Sequence, residues 1–194
     1  MQGDNLKKLI LAIALIILLL ASCTTTKAAH STNPVYVTNT KKVYLLPPEA
    51  MEGSQDNVQL LNGSFGEQTF GLIVYLQADS NGIFMSLLND FGTDMGSLSY
   101  DGRQVDFQSS VFPANLKAEY ILLDIQNAYY KKQNLEKLYN DVGLNFEEVV
   151  RNNKSVRRIM NKDKVIEEIT ITENFIKITN VLRGYEYNLS KGEE

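Results

Sequence analysis

The sequence predicts an antiparallel α+β domain in which strands, a helical insertion and further strands follow one another. Three observations predict it. From Val58 onward, short apolar runs are separated by Asn62-Gly63, by Asp79-Ser80-Asn81-Gly82 and by Asp101-Gly102, all turn-forming chemistry. Between Leu116 and Tyr130 the apolar residues recur at helical spacing, and after Arg151-Asn152-Asn153 the short runs return. No internal repeat is visible.

The elements follow from the N-terminus. Lys7 and Lys8 precede twelve uninterrupted apolar residues, Leu9 to Leu20, and then Ala21, Ser22 and Cys23. Twelve residues are too few for a membrane-spanning helix of about twenty, and small residues follow where a peptidase would cut, so residues 1–22 read as a secretory signal peptide. Leu20-Ala21-Ser22-Cys23 resembles the lipobox of bacterial lipoproteins, in which the cysteine is acylated and becomes the first mature residue. Cys23 is the sole cysteine of the chain, which excludes an intrachain disulfide. The resemblance implies three acyl chains on Cys23, hence stable anchoring to a membrane. It also implies the periplasmic face of the outer membrane, because Thr24 stands where the inner-membrane retention signal of enteric bacteria has aspartate.

Residues 23–42 are polar and threonine-rich and are expected to form a lipidated cysteine with a flexible tether. A domain over 43–190 and a tail over 191–194 complete the expected division. Val43 to Leu46 opens the domain and is ended by Pro47-Pro48. Phe70 to Leu76 and Ile83 to Leu88 are apolar at successive positions and read as strands covered on both faces, whereas Val105 and Phe107 alternate with polar residues. A helix over Leu116 to Tyr130 supplies the cover, with a shorter one over about Asn134 to Asp141 after it. Val156–Met160, Val165–Thr172, Phe175–Val181 and Tyr185–Leu189 read as the closing strands.

The composition narrows the function. A net charge of -4 without a basic cluster offers nucleic acid no electrostatic footprint. The one histidine, His30, falls in the tether and reads as a solvated linker residue. No GxSxG, HExxH or phosphate-loop glycine pattern occurs, and no cofactor, metal or catalytic residue is expected. Glu147-Glu148 and Glu167-Glu168 read as solvated charges, with Glu167 and Glu168 on opposite faces of a strand. Asp90 and Asp94 read as turn formers, and Tyr129-Tyr130 as a helix end packed on the sheet.

Phe91 is anomalous, because an apolar ring stands among the turn formers Asn89, Asp90, Gly92, Thr93 and Asp94. The stretch Ser86-Leu-Leu-Asn-Asp-Phe-Gly-Thr-Asp94, then Leu98, Tyr100-Asp-Gly102 and Phe112-Pro-Ala-Asn-Leu116, resembles a family of bacterial outer-membrane lipoproteins, a domain of unknown function, related to the LolA/LolB-like lipoprotein carriers and receptors. The resemblance implies an incomplete, half-open antiparallel β-barrel with a helical lid. In it Leu72, Val74, Leu76, Met85 and Leu87 would line a cavity wall, and Leu122, Leu123 and Ile125 would belong to the lid. Asp90, Phe91 and Gly92 would form the loop that hands cargo to a membrane, with Phe91 as its apolar tip, although LolB has proline where Asp90 stands. The expected ligand is an acyl chain or lipid-like molecule, and a periplasmic carrier protein is an expected partner. The alternative is a non-catalytic protein-binding or assembly module in which the same apolar residues fill an ordinary core and Phe91 folds back as a plug.

Overall fold

The computed structural model describes residues 32–110, 112 and 116–192. The signal peptide, Cys23, His30 and Pro113 lie outside the described residues. A short hairpin of β1 (Val35–Tyr36) and β2 (Lys42–Val43) comes first, followed by a single 3-10 turn at Pro48–Ala50. Five strands then form a meander: β3 (Gln55–Phe65), β4 (Gln68–Asp79), β5 (Gly82–Leu88), β6 (Asp94–Tyr100) and β7 (Val105–Ser109). Helices α1 (Ala118–Tyr129) and α2 (Lys132–Asn140) intervene, and a second meander follows: β8 (Asn145–Arg151), β9 (Lys154–Asn161), β10 (Lys164–Ile171), β11 (Phe175–Asn180) and β12 (Tyr185–Lys191).

The two meanders are one antiparallel sheet of ten strands, because β12 pairs with β3 from Tyr185↔Phe65 to Lys191↔Gln59. Its order is β7-β6-β5-β4-β3-β12-β11-β10-β9-β8, and it does not close: β7 and β8 remain edges. The helices enter the chain between those two edges, where α1 touches β7 and α2 touches β8. The strands alternate in direction, so their turns fall at two ends. One end, here the upper rim, carries the turns 66–67, 89–93, 162–163 and 181–184; the lower rim carries 80–81, 101–104, 152–153 and 172–174.

Alternation along each strand sends one set of side chains toward the helices. Leu61, Leu72, Val74, Leu76, Met85, Leu98, Ile169, Ile178 and Leu189 all enter one buried core with Leu122, Leu123 and Ile125 of α1. Gly96 takes a positive φ of 142° and leaves no room for a Cβ against the Gln108 carbonyl, which fixes glycine at the β6–β7 approach.

Three expectations need correction. The tether does not extend to residue 42, since Val35, Val37 and Val43 are buried in the core and the β1–β2 hairpin is part of the fold. Valine at every second position beside Tyr36 is strand patterning that the surrounding threonines and asparagines obscure. The tail begins later than 191, because Lys191 still pairs with Gln59. β4 and β5 are not covered on both faces: Ile73 and Tyr75 on the outer side are half-buried, while their neighbours Val58, Leu60 and Phe84 are 51 %, 40 % and 39 % exposed. The continuous apolar run comes from an apolar outer face, with Tyr75 donating to Asp56 at 2.8 Å and meeting Phe84 edge to face. Strands β6 and β8 have no counterpart among the expected elements, as serine and glycine in the one and adjacent glutamates in the other mask their alternation.

Candidate functional site

The residues expected to form the wall and lid come together. Leu72, Val74, Leu76, Met85 and Leu87 project from β4 and β5 to the helix-covered face and are at most 5 % exposed. Leu122, Leu123 and Ile125 are buried with them. In this structure wall and lid form a packed seam, and two surface clefts, of about 700 and about 360 Å3, lie elsewhere, lined by none of these residues.

Polar groups hold α1 alongside its apolar contacts. Its buried residues include Glu119, Asp124, Gln126 and Asn127 beside the apolar ones, so it is buried on more than one side. On one side it meets the N-terminal segment, where the Gln126 amide donates to the Leu46 carbonyl and accepts from the Leu46 amide, both at 2.9 Å. Toward the sheet, Tyr185 and Tyr187 donate to the Asp124 carboxyl at 2.8 and 3.0 Å. The Glu167 carboxylate accepts from the Asn127 side-chain amide at 2.8 Å and from Asn180 at 2.9 Å, and Tyr139 donates to the Asn127 Oδ1 at 2.6 Å.

Asp124 and Glu167 are neighbouring buried carboxyls, a placement that favours one shared proton over two charges. Burial, then the neighbouring Glu167 charge, pushes Asp124 well above the usual carboxylate range. Burial raises Glu167 too, but the amides of Asn127 and Asn180 and the Asp124 hydroxyl oppose it. The shared proton therefore resides on Asp124, and the single remaining charge on Glu167 faces amide donors. Burial, and then the nearby Glu167 charge, push the Tyr185 and Tyr187 hydroxyls up, keeping both as neutral donors.

Glu167 thus corrects the expectation of solvated charge. A register shift between Val165 and Glu167 turns Ile166 and Glu167 inward together, while Glu168 faces outward and binds Arg158 at 2.7 Å. Glu148 is also no surface charge: it accepts from Arg157 at 2.9 Å and from Ser155 at 2.7 Å. Arg157, 5 % exposed, sends its Nη1 to the carbonyls of Asn127, Ala128 and Tyr130 at the C-terminal end of α1. Nothing in the sequence marks Asp124, Asn127 or Arg157, since each becomes distinctive only through a partner on another element.

The Asp90-Phe91-Gly92 turn stands apart from this network, on the upper rim. The Asn89 side chain accepts from the amides of Phe91 and Thr93 at 3.0 and 2.9 Å, and Gly92 adopts φ 75°. These contacts close the turn without the ring, which is 93 % exposed. Phe91 does not fold back as a plug. Because the ring supports nothing, Phe91→Ser is expected to leave the free energy of unfolding in urea unchanged within about 0.5 kcal/mol.

Among the described residues, no three His, Cys, Asp or Glu side chains group to hold a metal ion, and no helix is long and apolar enough to cross a membrane. Residues 56–191 match the model of a family described as a protein of unknown function, DUF3261. No curated protein matches the chain.

Proposed function

The chain belongs to the DUF3261 family, and from that premise we propose that it is a non-enzymatic lipoprotein, held on the periplasmic face of the outer membrane by acylated Cys23, that binds an acyl chain or lipid-like molecule between its sheet and α1. The observation that carries this reading is the open ten-stranded sheet whose one helix-covered face is lined by Leu72, Val74, Leu76, Met85 and Leu87, with the unpaired edges β7 and β8 flanking the helices. Such a sheet fits the incomplete barrel of the LolA/LolB-like proteins, and its missing edge pairing leaves a route for a chain to enter without breaking ladder hydrogen bonds. Capture would proceed by burial alone, each sequestered methylene contributing about 0.8 kcal/mol, offset by the ordering of the lipid tail and the displacement of α1.

The polar latch suits that use. An apolar helix on an apolar sheet slides with little directional preference, whereas Asp124, Asn127 and Gln126 return α1 to one seat. Phe91 would be the loop residue that meets the bilayer, since its ring has no partner in the fold.

Native mass spectrometry of the chain after incubation with a bacterial lipid extract tests the reading. Adducts in the acyl-lipid mass range are expected, and they should be lost in Met85→Trp, whose larger ring occupies the place a parted seam would give to an acyl chain, with folding checked by circular dichroism. The packing of wall against lid favours a second reading, a protein-binding module with a filled core. An unliganded mass across all lipid classes would establish that reading in place of the first.

A further inference from the structure

The upper and lower rims differ in chemistry. The lower turns are polar, with Asp79-Ser80-Asn81, Asp101 to Gln104, Asn152-Asn153 and Thr172 to Asn174, and the exposed apolar residues at that end, Val149, Val150 and Phe175, lie in the strands β8 and β11 and not in the turns. The upper turns carry Phe91 and Val181-Leu182, 93 %, 61 % and 49 % exposed, and Phe65, the last residue of β3 before the 66–67 turn, is 61 % exposed. Phe65, Phe91 and the Val181-Leu182 pair come from three separate hairpins, and none of these hairpins needs an apolar residue at its tip for backbone reasons. An apolar tip on one hairpin is a common accident of surface composition, but three at one end of one sheet form a common plane of contact.

The described chain begins at the same rim, at Thr32. Asn33 donates to Glu119 near the start of α1 at 2.7 Å, and Arg183, in the 181–184 turn, donates to the Tyr36 carbonyl and lies 4.7 Å over the Tyr120 ring. Thr32 stands only nine positions after Cys23, a reach of about 30 Å at full extension. A domain tethered that closely, from that side, has its upper rim nearest whatever holds Cys23. Tyr36 and Tyr120 on that side add the amphipathic rings that favour a membrane interface.

We propose that the upper rim is a bilayer-docking surface, with Phe65, Phe91, Val181 and Leu182 inserting among the acyl chains of the membrane that holds Cys23. The inference rests on the lipoprotein reading above and extends it by fixing which end of the sheet meets the membrane. The rim's charges are mixed, Glu67, Asp90 and Asp163 against Lys162, Lys164 and Arg183. Docking therefore depends on apolar insertion and needs no anionic lipid.

The chain contains no tryptophan, so a single substitution gives an unambiguous fluorescent reporter. Phe65→Trp, Phe91→Trp, Leu182→Trp and the lower-rim control Ser80→Trp are made in the full chain and reconstituted into zwitterionic vesicles with brominated acyl chains, while mass spectrometry reads the acyl adduct on Cys23. The three upper-rim reporters should be quenched at least twofold, unaltered by salt, with the control unchanged. Acylated Cys23 with unquenched upper reporters, or with quenching at Ser80→Trp alone, overturns the docking surface and leaves the lipoprotein reading intact. Quenching at the upper rim without an acyl adduct overturns the anchor and upholds the surface. Absence of both overturns both.

Discussion

Arg157→Ala is expected to lower the free energy of unfolding by about 3–5 kcal/mol, read as a fall in the urea midpoint at constant slope. The size follows from what the guanidinium leaves behind. Its Nη1 serves three carbonyls at the end of α1, where a helix has no internal donors to offer, and its Nε holds Glu148. Alanine would strand a part-buried carboxylate and three buried carbonyls at once. Lysine would restore a charge but not a planar fork able to reach Glu148 and the helix end together, so Arg157→Lys should recover less than half of the loss. Hydrogen exchange should quicken first in the last turn of α1, since that is where the unpaired carbonyls lie.

The second large effect concerns pH. Asp124 holds in the fold a proton that the unfolded chain releases near the ordinary aspartate value of 3.8. A raised folded pKa means that the native state binds more protons, so this contribution to stability is complete below that value and declines as pH rises toward the folded pKa. The decline is about 1.4 kcal/mol per pH unit per extra proton held. Asp124→Asn mimics the protonated acid: its amide oxygen accepts from Tyr185 and Tyr187, and its NH2 donates to Glu167. The variant is expected to be more stable than the parent at neutral pH, with a gap that widens on raising the pH and vanishes in acid. Urea midpoints across pH 4 to 9 check this, and equal slopes for both proteins would show that no proton is shared. Glu167→Gln should behave differently, since it removes the ionised member that the Asn127 and Asn180 amides were placed to meet.

The two variants also mark how much is legible in the sequence. The turn signals Asp79-Ser80-Asn81-Gly82 and Asp101-Gly102, the alternation at Val105 and Phe107, and the helical spacing from Leu116 lead to elements the structure contains, because each reports a local backbone preference; Asn62-Gly63 does not, since both residues are paired within β3 and the chain turns at 66–67 instead. The apolar wall and the lid residues are legible for a similar reason: Leu72, Val74, Leu76, Leu122 and Ile125 are buried wherever their strands and helix pack. Glu167 is not legible, because its inward turn depends on a register shift against β9, and its neutralising company comes from Asp124, Asn127 and Asn180, all distant in the chain. Strand β8 is hidden in the same manner, its Glu148 drawn inward by an arginine of the next strand. Charge in a strand looks solvated until its partner is known. Phe91 is the converse case, where an odd residue in a turn is as exposed as its neighbours imply.

The seam between β3 and β12 has a consequence for how the molecule is made. Residues 59–65 and 185–191 are hydrogen-bonded neighbours, yet nearly the whole domain lies between them in the chain. Each meander forms from adjacent hairpins with short loops to close, so local pairing is fast within each half. The joining of the halves must wait for the last strand. During synthesis, the first half would emerge with both β3 and β7 unpaired and with the apolar face of β4 and β5 uncovered, a state open to edge-to-edge association. The final seven-residue strand is therefore the clasp that joins the two halves, and β12 places the polar Glu186, Asn188 and Ser190 on its outer side, which favours the solubility of that late-arriving segment until β3 receives it.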